Sequence, residues 1–157
     1  MKPIRKRIFV GSLAVFAAIQ FIRPTENLGP APGGADFIVK AALPPDAAQL
    51  LAGACYDCHS DHTRYPWYAE IEPVGWWLGH HIEHGKERAN FSEFGILSRK
   101  KQTDLLDNAV DAVNHDSMPP WTYRLTHPAA RLDDKEKTLL TAWFQRAADA
   151  AALPPKG

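Results

Sequence analysis

The chain has 157 residues with no net charge, and 45% of them are hydrophobic, which is enough for one domain with a modest core. Five of the 18 basic side chains lie in the first 23 residues, so the rest of the chain holds 13 basic and 18 acidic groups. This acidic excess argues against nucleic acid as a partner, because nucleic-acid binding depends on a basic surface.

The N-terminal segment is predicted to be a signal anchor. A basic cluster from Lys2 to Arg7 precedes an apolar run from Ile8 to Ile22. That run is roughly 22 Å long as a helix, which is short for a membrane span and fits the hydrophobic region of a signal peptide. Because no small-x-small cleavage site precedes Arg23, an uncleaved anchor over residues 1–23 is preferred to a cleaved signal peptide. The remainder is expected on the periplasmic side of the inner membrane, or exported and soluble if the leader is cleaved.

Residues 24–45 are predicted to be a Pro/Gly-rich linker, because prolines and glycines interrupt the segment and no apolar period survives. The domain is expected over residues 46–149, followed by a tail at 150–157. Its first helix is predicted to begin near Asp46, a capping residue that follows two prolines, and to lead into Cys55.

A second helix is predicted to open at Pro73 and to end or bend at Gly85. Residues 60–72, which precede it, contain prolines and large aromatic side chains and are expected to form an irregular loop that packs against the body. Five residues at helical spacing are expected to share one face of the second helix: Val74, Trp77, Leu78, His81 and Ile82.

Two further helices complete the prediction. The first runs from a Ser98 cap to about Asn114, and the last covers residues 134–149, with Asp133 and Glu136 at the spacing of a capping box. The first of the two has an acidic outer stripe of Asp104, Asp107 and Asp111. No segment alternates as a β-strand does, so the predicted fold class is all-α.

The sequence Cys55-Tyr56-Asp57-Cys58-His59 matches the C-x-x-C-H pattern of c-type haem attachment. Two thiols three residues apart on a helical turn meet the two vinyl groups along one haem edge, and the adjacent histidine reaches the iron from the proximal side. A thioredoxin-like pair would follow a strand, and a zinc ribbon would need a second pair of soft ligands. The chain has neither, so one covalent haem c is expected, with Cys55 and Cys58 as thioether residues and His59 as the iron ligand.

The distal iron ligand is predicted to be Met118, the only methionine besides Met1. Pro119 and Pro120 follow it and would hold a rigid loop opposite the histidine-bearing turn. Such His/Met ligation would raise the reduction potential of the haem. His81 is the alternative distal ligand, although a histidine on an apolar helix face is more often a core group.

The other histidines have different interpretations. His80, Glu83 and His84 complete an H-x-x-E-H pattern, which occurs in inverted zinc peptidases and places two histidines one helical turn apart. A solvated helix face is the simpler interpretation, because such peptidases need a third ligand and a substrate cleft. Three histidines are expected to lie in loops and to form local hydrogen bonds: His62, His115 and His127.

Large aromatic side chains are abundant in the middle of the chain. Six are expected to form the wall of the haem pocket and the core: Tyr65, Trp67, Tyr68, Trp76, Trp77 and Trp121. An apolar wall around the iron would also tune its reduction potential. A purely structural role is the alternative for each of them.

Several short motifs together resemble the small bacterial haem-binding domain family. They are C-x-x-C-H followed by Ser60, TRYPWY at 63–68, PVGWWL at 73–78, NFSE at 90–93, MPP at 118–120, His127-Pro128 and the stretch 132–136. The resemblance covers roughly residues 46–148. Because that family is similar to class I cytochromes c, the resemblance implies a single cytochrome c-like domain of short helices and long ordered loops, with haem c, export and redox work. It implies no particular substrate.

The lead hypothesis is a membrane-tethered monohaem cytochrome that relays single electrons and is not an enzyme. Its acidic stripe could steer it toward a basic redox protein partner. The alternatives are a haem-based sensor of small ligands and a small peroxidase, both of which need a labile or open sixth site on the iron. Firm binding of Met118 would favour electron transfer over either alternative.

Overall fold

The structure is a computed structural model that describes residues 3–153. Within that range the α-helices are α1 (Pro3–Ile19), α2 (Phe37–Lys40), α3 (Pro45–Ala54), α4 (Tyr56–His59), α5 (Val74–Arg88), α6 (Arg99–Asn114), α7 (Trp121–Thr126) and α8 (Asp134–Ala152). Short 3-10 helices lie at Trp67–Glu70, Phe91–Ile96 and Pro128–Ala130. The described residues form no strand, so the all-α prediction is confirmed. Lys2 of the basic cluster and residues 154–157 of the predicted tail lie outside the described range.

The starts of the main helices follow local backbone chemistry. Ser98 caps α6 through its side chain, and Asp133 with Glu136 forms the predicted capping box of α8. Asp46, in contrast, does not cap α3. That helix begins at Pro45, because the first turn needs no N–H from its first residue and proline has the right backbone angle there. Asp46 lies in the first turn instead, where a negative charge favours the helix dipole.

Helix α1 is apolar along most of its length and buries none of its residues. It begins at Pro3, so it includes the basic residues Arg5, Lys6 and Arg7 as well as most of the predicted apolar run. Among the helices of residues 3–153, none combines the length and the apolar character that a membrane crossing requires.

The core lies where α6 packs against α8 and α3 closes over α8. Helix α8 continues to Ala152, beyond the predicted end at residue 149, and Ala151 is buried there. Phe91 stacks on Phe144 with their ring centroids 5.9 Å apart. The largest fully buried apolar side chains come from four helices: Phe37, Leu51, Leu106, Leu140 and Phe144.

The segment that was predicted to be a linker, residues 24–45, is packed into the folded body. Phe37 in α2 is fully buried, with its ring 4.9 Å from that of Phe94. Asp36 is also buried and caps α2, and the Tyr56 hydroxyl donates a 2.7 Å hydrogen bond to its carboxylate. The linker prediction was wrong for this part, because a four-residue helix is too short to show an apolar period.

The chain between α1 and α2, residues 20–36, forms an arm that is held against the folded body by hydrogen bonds. Gln20 and Glu72 exchange two hydrogen bonds of 3.0 Å between the side-chain amide of Gln20 and the backbone of Glu72. Further along, the side-chain amide of Asn27 donates to the carbonyl of Ser60 at 2.9 Å. The arm therefore holds the start of α5 and the loop that follows the C-x-x-C-H motif.

Helix α5 continues without interruption past Gly85 and ends at Arg88. Of the face that was predicted to be shared, Leu78 and Ile82 are buried. The other three members are exposed: Val74, Trp77 and His81. This part of the prediction was wrong because α5 packs mainly against α4 and the 3-10 helix Trp67–Glu70, which cover a narrow stripe of its surface.

Candidate functional site

The C-x-x-C-H motif forms a sharp turn between two helices. Helix α3 ends at Cys55, and one further helical turn, α4, carries Cys58 and His59. The Cys55 carbonyl accepts hydrogen bonds from the amides of Cys58 and His59 at 3.2 and 2.9 Å. The two thiols and the imidazole all reach the wall of the same cavity.

His59 is held in one orientation by the end of α5. Its Nδ1–H donates a 3.0 Å hydrogen bond to the carbonyl of Ala89, which leaves Nε2 without a proton. Burial lowers the pKa of His59, against the opposing effect of its backbone hydrogen bonds. A neutral imidazole with Nδ1–H bound to a carbonyl is the usual arrangement of a histidine that binds a metal through Nε2.

Both cysteines are free thiols within an apolar surrounding. Burial raises the pKa of Cys55 to about 12, with a further contribution from Cys58. Burial also raises the pKa of Cys58 to about 11, together with the charge of Asp57. At neutral pH the two groups of the haem-free protein are therefore protonated thiols.

The cavity beside the motif has a volume of about 670 Å³ and a mainly apolar wall. Helices α4, α5, α6 and α7 and the 3-10 helix Phe91–Ile96 contribute to that wall. Its size falls in the roughly 300–1,000 Å³ range of pockets that bind small molecules and cofactors.

Met118 reaches the cavity from the loop between α6 and α7. The amides of Ser117 and Met118 both donate to the carbonyl of Ala112, at 3.0 and 3.1 Å, so the loop folds back on the last turn of α6. Pro119 is buried and Pro120 precedes α7. The structure thus brings Met118 to the same cavity as Cys55, Cys58 and His59, although Met118 is far from the motif in the sequence.

Three histidines of α5 also line this cavity: His80, His81 and His84. His81 Nδ1 donates to the Trp77 carbonyl at 2.9 Å, and the two rings lie 4.2 Å apart. The alternative distal ligand is therefore at the cavity as well, with its Nε2 free.

The comparison with protein families places the chain in a family that is described by its ligand. A family model described as a haem-binding domain matches residues 14–146, which is most of the chain. The chain belongs to the haem-binding domain family. Neither the comparison with curated proteins nor that with solved structures gave a match.

The residues of this haem-binding domain fit a haem. An apolar cavity of this size suits the porphyrin, and His59 offers an unprotonated nitrogen on its wall. Met118 and His81 offer a thioether and an imidazole, which are both common axial ligands. Arg88 adds a cation at the wall, which suits the carboxylate groups of haem.

The zinc interpretation of the H-x-x-E-H pattern finds no support in the geometry. Across residues 3–153, no group of three His, Cys, Asp or Glu side chains is placed to hold a metal ion. The rings of His80 and His84 meet edge to face with centroids 4.2 Å apart, and His84 Nδ1 lies 3.0 Å from a carboxylate oxygen of Glu87.

The three histidines outside α4 and α5 do not line this cavity. His115 Nδ1 donates to the carbonyl of Asp111, four residues earlier, as predicted for a local hydrogen bond. His127 does the same with Tyr123. His62 differs, because its Nδ1 is 2.8 Å from the carbonyl of Gly29 in the arm.

The aromatic residues that line the cavity beside the motif differ from the predicted ones. None of the six predicted aromatic residues lines it, and Trp67, Trp77 and Trp121 are 77%, 46% and 66% exposed. The aromatic residues at the wall are Phe91, Tyr123 and Phe144. Phe144 belongs to α8 and is also part of the buried core. For Tyr123 no sequence signal existed beyond its nearness to Met118.

Asp57, the second of the two unspecified positions of the C-x-x-C-H motif, is buried, and its carboxylate accepts several hydrogen bonds. Its carboxylate accepts from Arg64 Nε at 2.9 Å and from the Tyr123 hydroxyl at 2.6 Å. Burial raises the pKa of Tyr123, and the hydrogen bond to Asp57 raises it further. Tyr123 therefore stays protonated and donates to Asp57 throughout the neutral range. The sequence pattern gave this residue no role.

Proposed function

We propose that this protein attaches one haem c covalently and relays single electrons. The observation that carries the proposal is that Cys55, Cys58, His59 and Met118 line one apolar cavity. Cys55 and Cys58 would hold the haem through thioether bonds, with His59 as the proximal and Met118 as the distal iron ligand.

The attachment chemistry suits neutral, partly buried thiols. Each thiol would add across one vinyl group, with its sulfur bonding to one carbon and its hydrogen passing to the other. This addition needs no oxidant and leaves no charge in the apolar wall. The raised pKa values of Cys55 and Cys58 agree with such a surrounding.

Single-electron relay follows from the ligands and the wall. The haem, when bound, supplies an iron that changes its charge by one electron. His59 fixed by Ala89 and Met118 fixed by the turn at the end of α6 would occupy both axial positions, so that no site stays open for a substrate. The apolar wall excludes water and favours the less charged reduced iron.

Export and tethering through α1 are further parts of the proposal. Helix α1 is apolar, has all its residues at the surface and carries basic residues at its start, which supports a signal anchor. The haem cavity would then lie on the periplasmic side of the inner membrane, and cleavage of the leader would instead give an exported, soluble protein. The redox partner is proposed to be a protein with a basic docking surface.

The decisive experiment expresses the full chain with a c-type haem maturation system. A haem band that stays with the polypeptide in a denaturing gel, and the optical spectra of both oxidation states, test covalent attachment and ligation. We expect covalent haem and the weak far-red charge-transfer band of Met-bound ferric iron, which should vanish in Met118→Ala. Absence of covalent haem would refute the attachment.

A second candidate function, a haem-based sensor or a small peroxidase, is favoured by one observation. Polar residues of α5 line the same cavity as Met118, namely His80, His81, His84 and Arg88. Such groups could hydrogen-bond a small ligand or a peroxide on an open iron site. If the wild-type ferrous protein binds carbon monoxide readily and Met118→Ala changes nothing, this function replaces electron relay.

A further inference from the structure

A partly buried hydrogen bond joins the C-x-x-C-H motif to the segment that follows Met118. The Tyr123 hydroxyl in α7 donates to Asp57 Oδ2 at 2.6 Å, across 66 positions of sequence. Asp57 is buried, and Arg64 donates to its carboxylate from Nε and Nη2 at 2.9 and 3.2 Å. Arg64 thus compensates the charge of Asp57 by donating to both carboxylate oxygens, and the Tyr123 hydroxyl shares Oδ2 with Arg64 Nη2.

Helix α7 depends on contacts of this kind for its position. It has six residues, fewer than an isolated helix needs to be stable, and its N-cap Pro120 provides no side-chain hydrogen bond. Tyr123 is its link to the motif, and the Tyr123 ring borders the haem cavity. Residues 118–120, which lead directly into α7, are therefore held at one end by the turn on α6 and at the other by Tyr123.

We propose that Asp57 and Tyr123 are positioning residues that hold Met118 on the distal side of the haem. This inference rests on the proposed His/Met ligation. Asp57 shares one helical turn with Cys58 and His59, so its bond to Tyr123 ties the distal segment directly to the proximal helix. Loss of the bond would free the segment that carries Met118 and leave the proximal residues in place.

The test measures how readily imidazole displaces Met118 from the ferric iron of the intact holoprotein, followed by the change in haem absorption. Tyr123→Phe removes one hydroxyl group and is expected to raise the imidazole affinity roughly tenfold to a hundredfold, because a short, partly buried hydrogen bond to a charged group is lost. Asp57→Ala should raise it at least as much. The double variant should show less than the product of the two effects, since both changes remove the same bond.

Tyr68→Phe is the matched control. The Tyr68 hydroxyl lies 3.0 Å from Thr126 Oγ1, so it also links α7 to the body, but through the 3-10 helix Trp67–Glu70. Its loss is expected to change the imidazole affinity by no more than about twofold. If Asp57→Ala does not fold, Tyr123→Phe alone decides the matter, because it removes one atom and no charge.

The outcomes separate the positioning role from the ligation. An unchanged imidazole affinity in Tyr123→Phe, with a large increase in Met118→Ala, would overturn the positioning role and leave His/Met ligation intact. An equal increase in Tyr68→Phe and Tyr123→Phe would also overturn it, because general loosening of α7 would explain both. If Met118→Ala changes neither the affinity nor the far-red band, ligation and positioning role fail together.

Discussion

A side chain at Gly85 would collide with the backbone of Cys58. A Cβ atom at Gly85 would lie 2.5 Å from the Cys58 carbonyl oxygen, so the absence of a side chain lets α5 approach α4 closely. This approach brings the C-terminal end of α5 to His59, whose Nδ1–H is bonded to Ala89. The glycine that the sequence suggested as a helix end is therefore a contact point within a continuous helix.

Gly85→Ala is expected to force α5 away from α4 and to destabilise the protein by about 1–3 kcal/mol. Chemical unfolding of the haem-free protein measures the stability, and the haem content after maturation measures the effect on the site. Gly11→Ala is the control, because a Cβ there meets no atom within 4 Å. Equal stability of the two variants would contradict the close-contact explanation.

The thiols of the haem-free protein are expected to react slowly with iodoacetamide. Burial raises the pKa of Cys55 and Cys58 to about 12 and about 11, so at pH 8 alkylation should be roughly a hundredfold slower than in the unfolded chain. Because the folded-state pKa values are raised, the folded state keeps its thiol protons longer. Its stability should therefore be full below about pH 8.5 and fall as the pH rises further. Equal alkylation rates with and without denaturant would show that the thiols are not buried.

Phe37→Ala is expected to reduce the free energy of unfolding by roughly 3–5 kcal/mol, because it removes a fully buried ring from the core. Val39→Ala is the matched control on the same helical turn. Val39 is 51% exposed, so its loss should cost about 0.5 kcal/mol or less. If residues 24–45 were a free tether, both variants would unfold at the same denaturant concentration.

Reversal of the acidic stripe on α6 tests how the proposed redox partner is attracted. Asp104, Asp107 and Asp111 are exposed, and their change to lysine should slow reduction by a cationic reductant about tenfold at low salt. The effect should disappear at about 1 M salt, where the screening length is short. Lys100→Glu removes the 2.7 Å ion pair with Asp104 and should change the rate in the opposite direction. No change in any variant would eliminate the stripe as a docking surface.

Truncation tests the proposed tether. The full chain is expected to float with anionic lipid vesicles in a density gradient, because α1 combines an apolar surface with Arg5, Lys6 and Arg7. A chain that starts at Gln20 should remain in the soluble fraction with an unchanged haem spectrum. Flotation of both forms would assign the membrane affinity to another surface.

Local patterns predicted part of this fold, and long-range contacts decided the rest. The caps at Ser98 and Asp133, and with them the starts of α6 and α8, were visible in the sequence, because each cap involves residues within one turn. Phe37 was not, because its four-residue helix has no period of its own and is ordered by distant rings.

The residues of the candidate site also fall into those that a local motif predicted and those that only long-range contacts bring together. The C-x-x-C-H motif is local, so Cys55, Cys58 and His59 could be named from their spacing alone. The bond between Asp57 and Tyr123 joins residues 66 positions apart and leaves no local trace. Trp67 and Trp121 were assigned to the pocket by residue type, yet both lie at the surface.

The paired hydrogen bonds between Gln20 and Glu72 fix the residue that follows α1 to the folded body, so the connection between α1 and the body is not a flexible tether. If α1 anchors the protein, the folded body would be held at a nearly fixed distance from the membrane and in a nearly fixed orientation. The haem would then occupy a narrow range of positions relative to the membrane. The distance across which an electron travels would then be set by how closely the partner approaches, and lengthening the chain at residue 20 would change the rate of transfer without changing the haem.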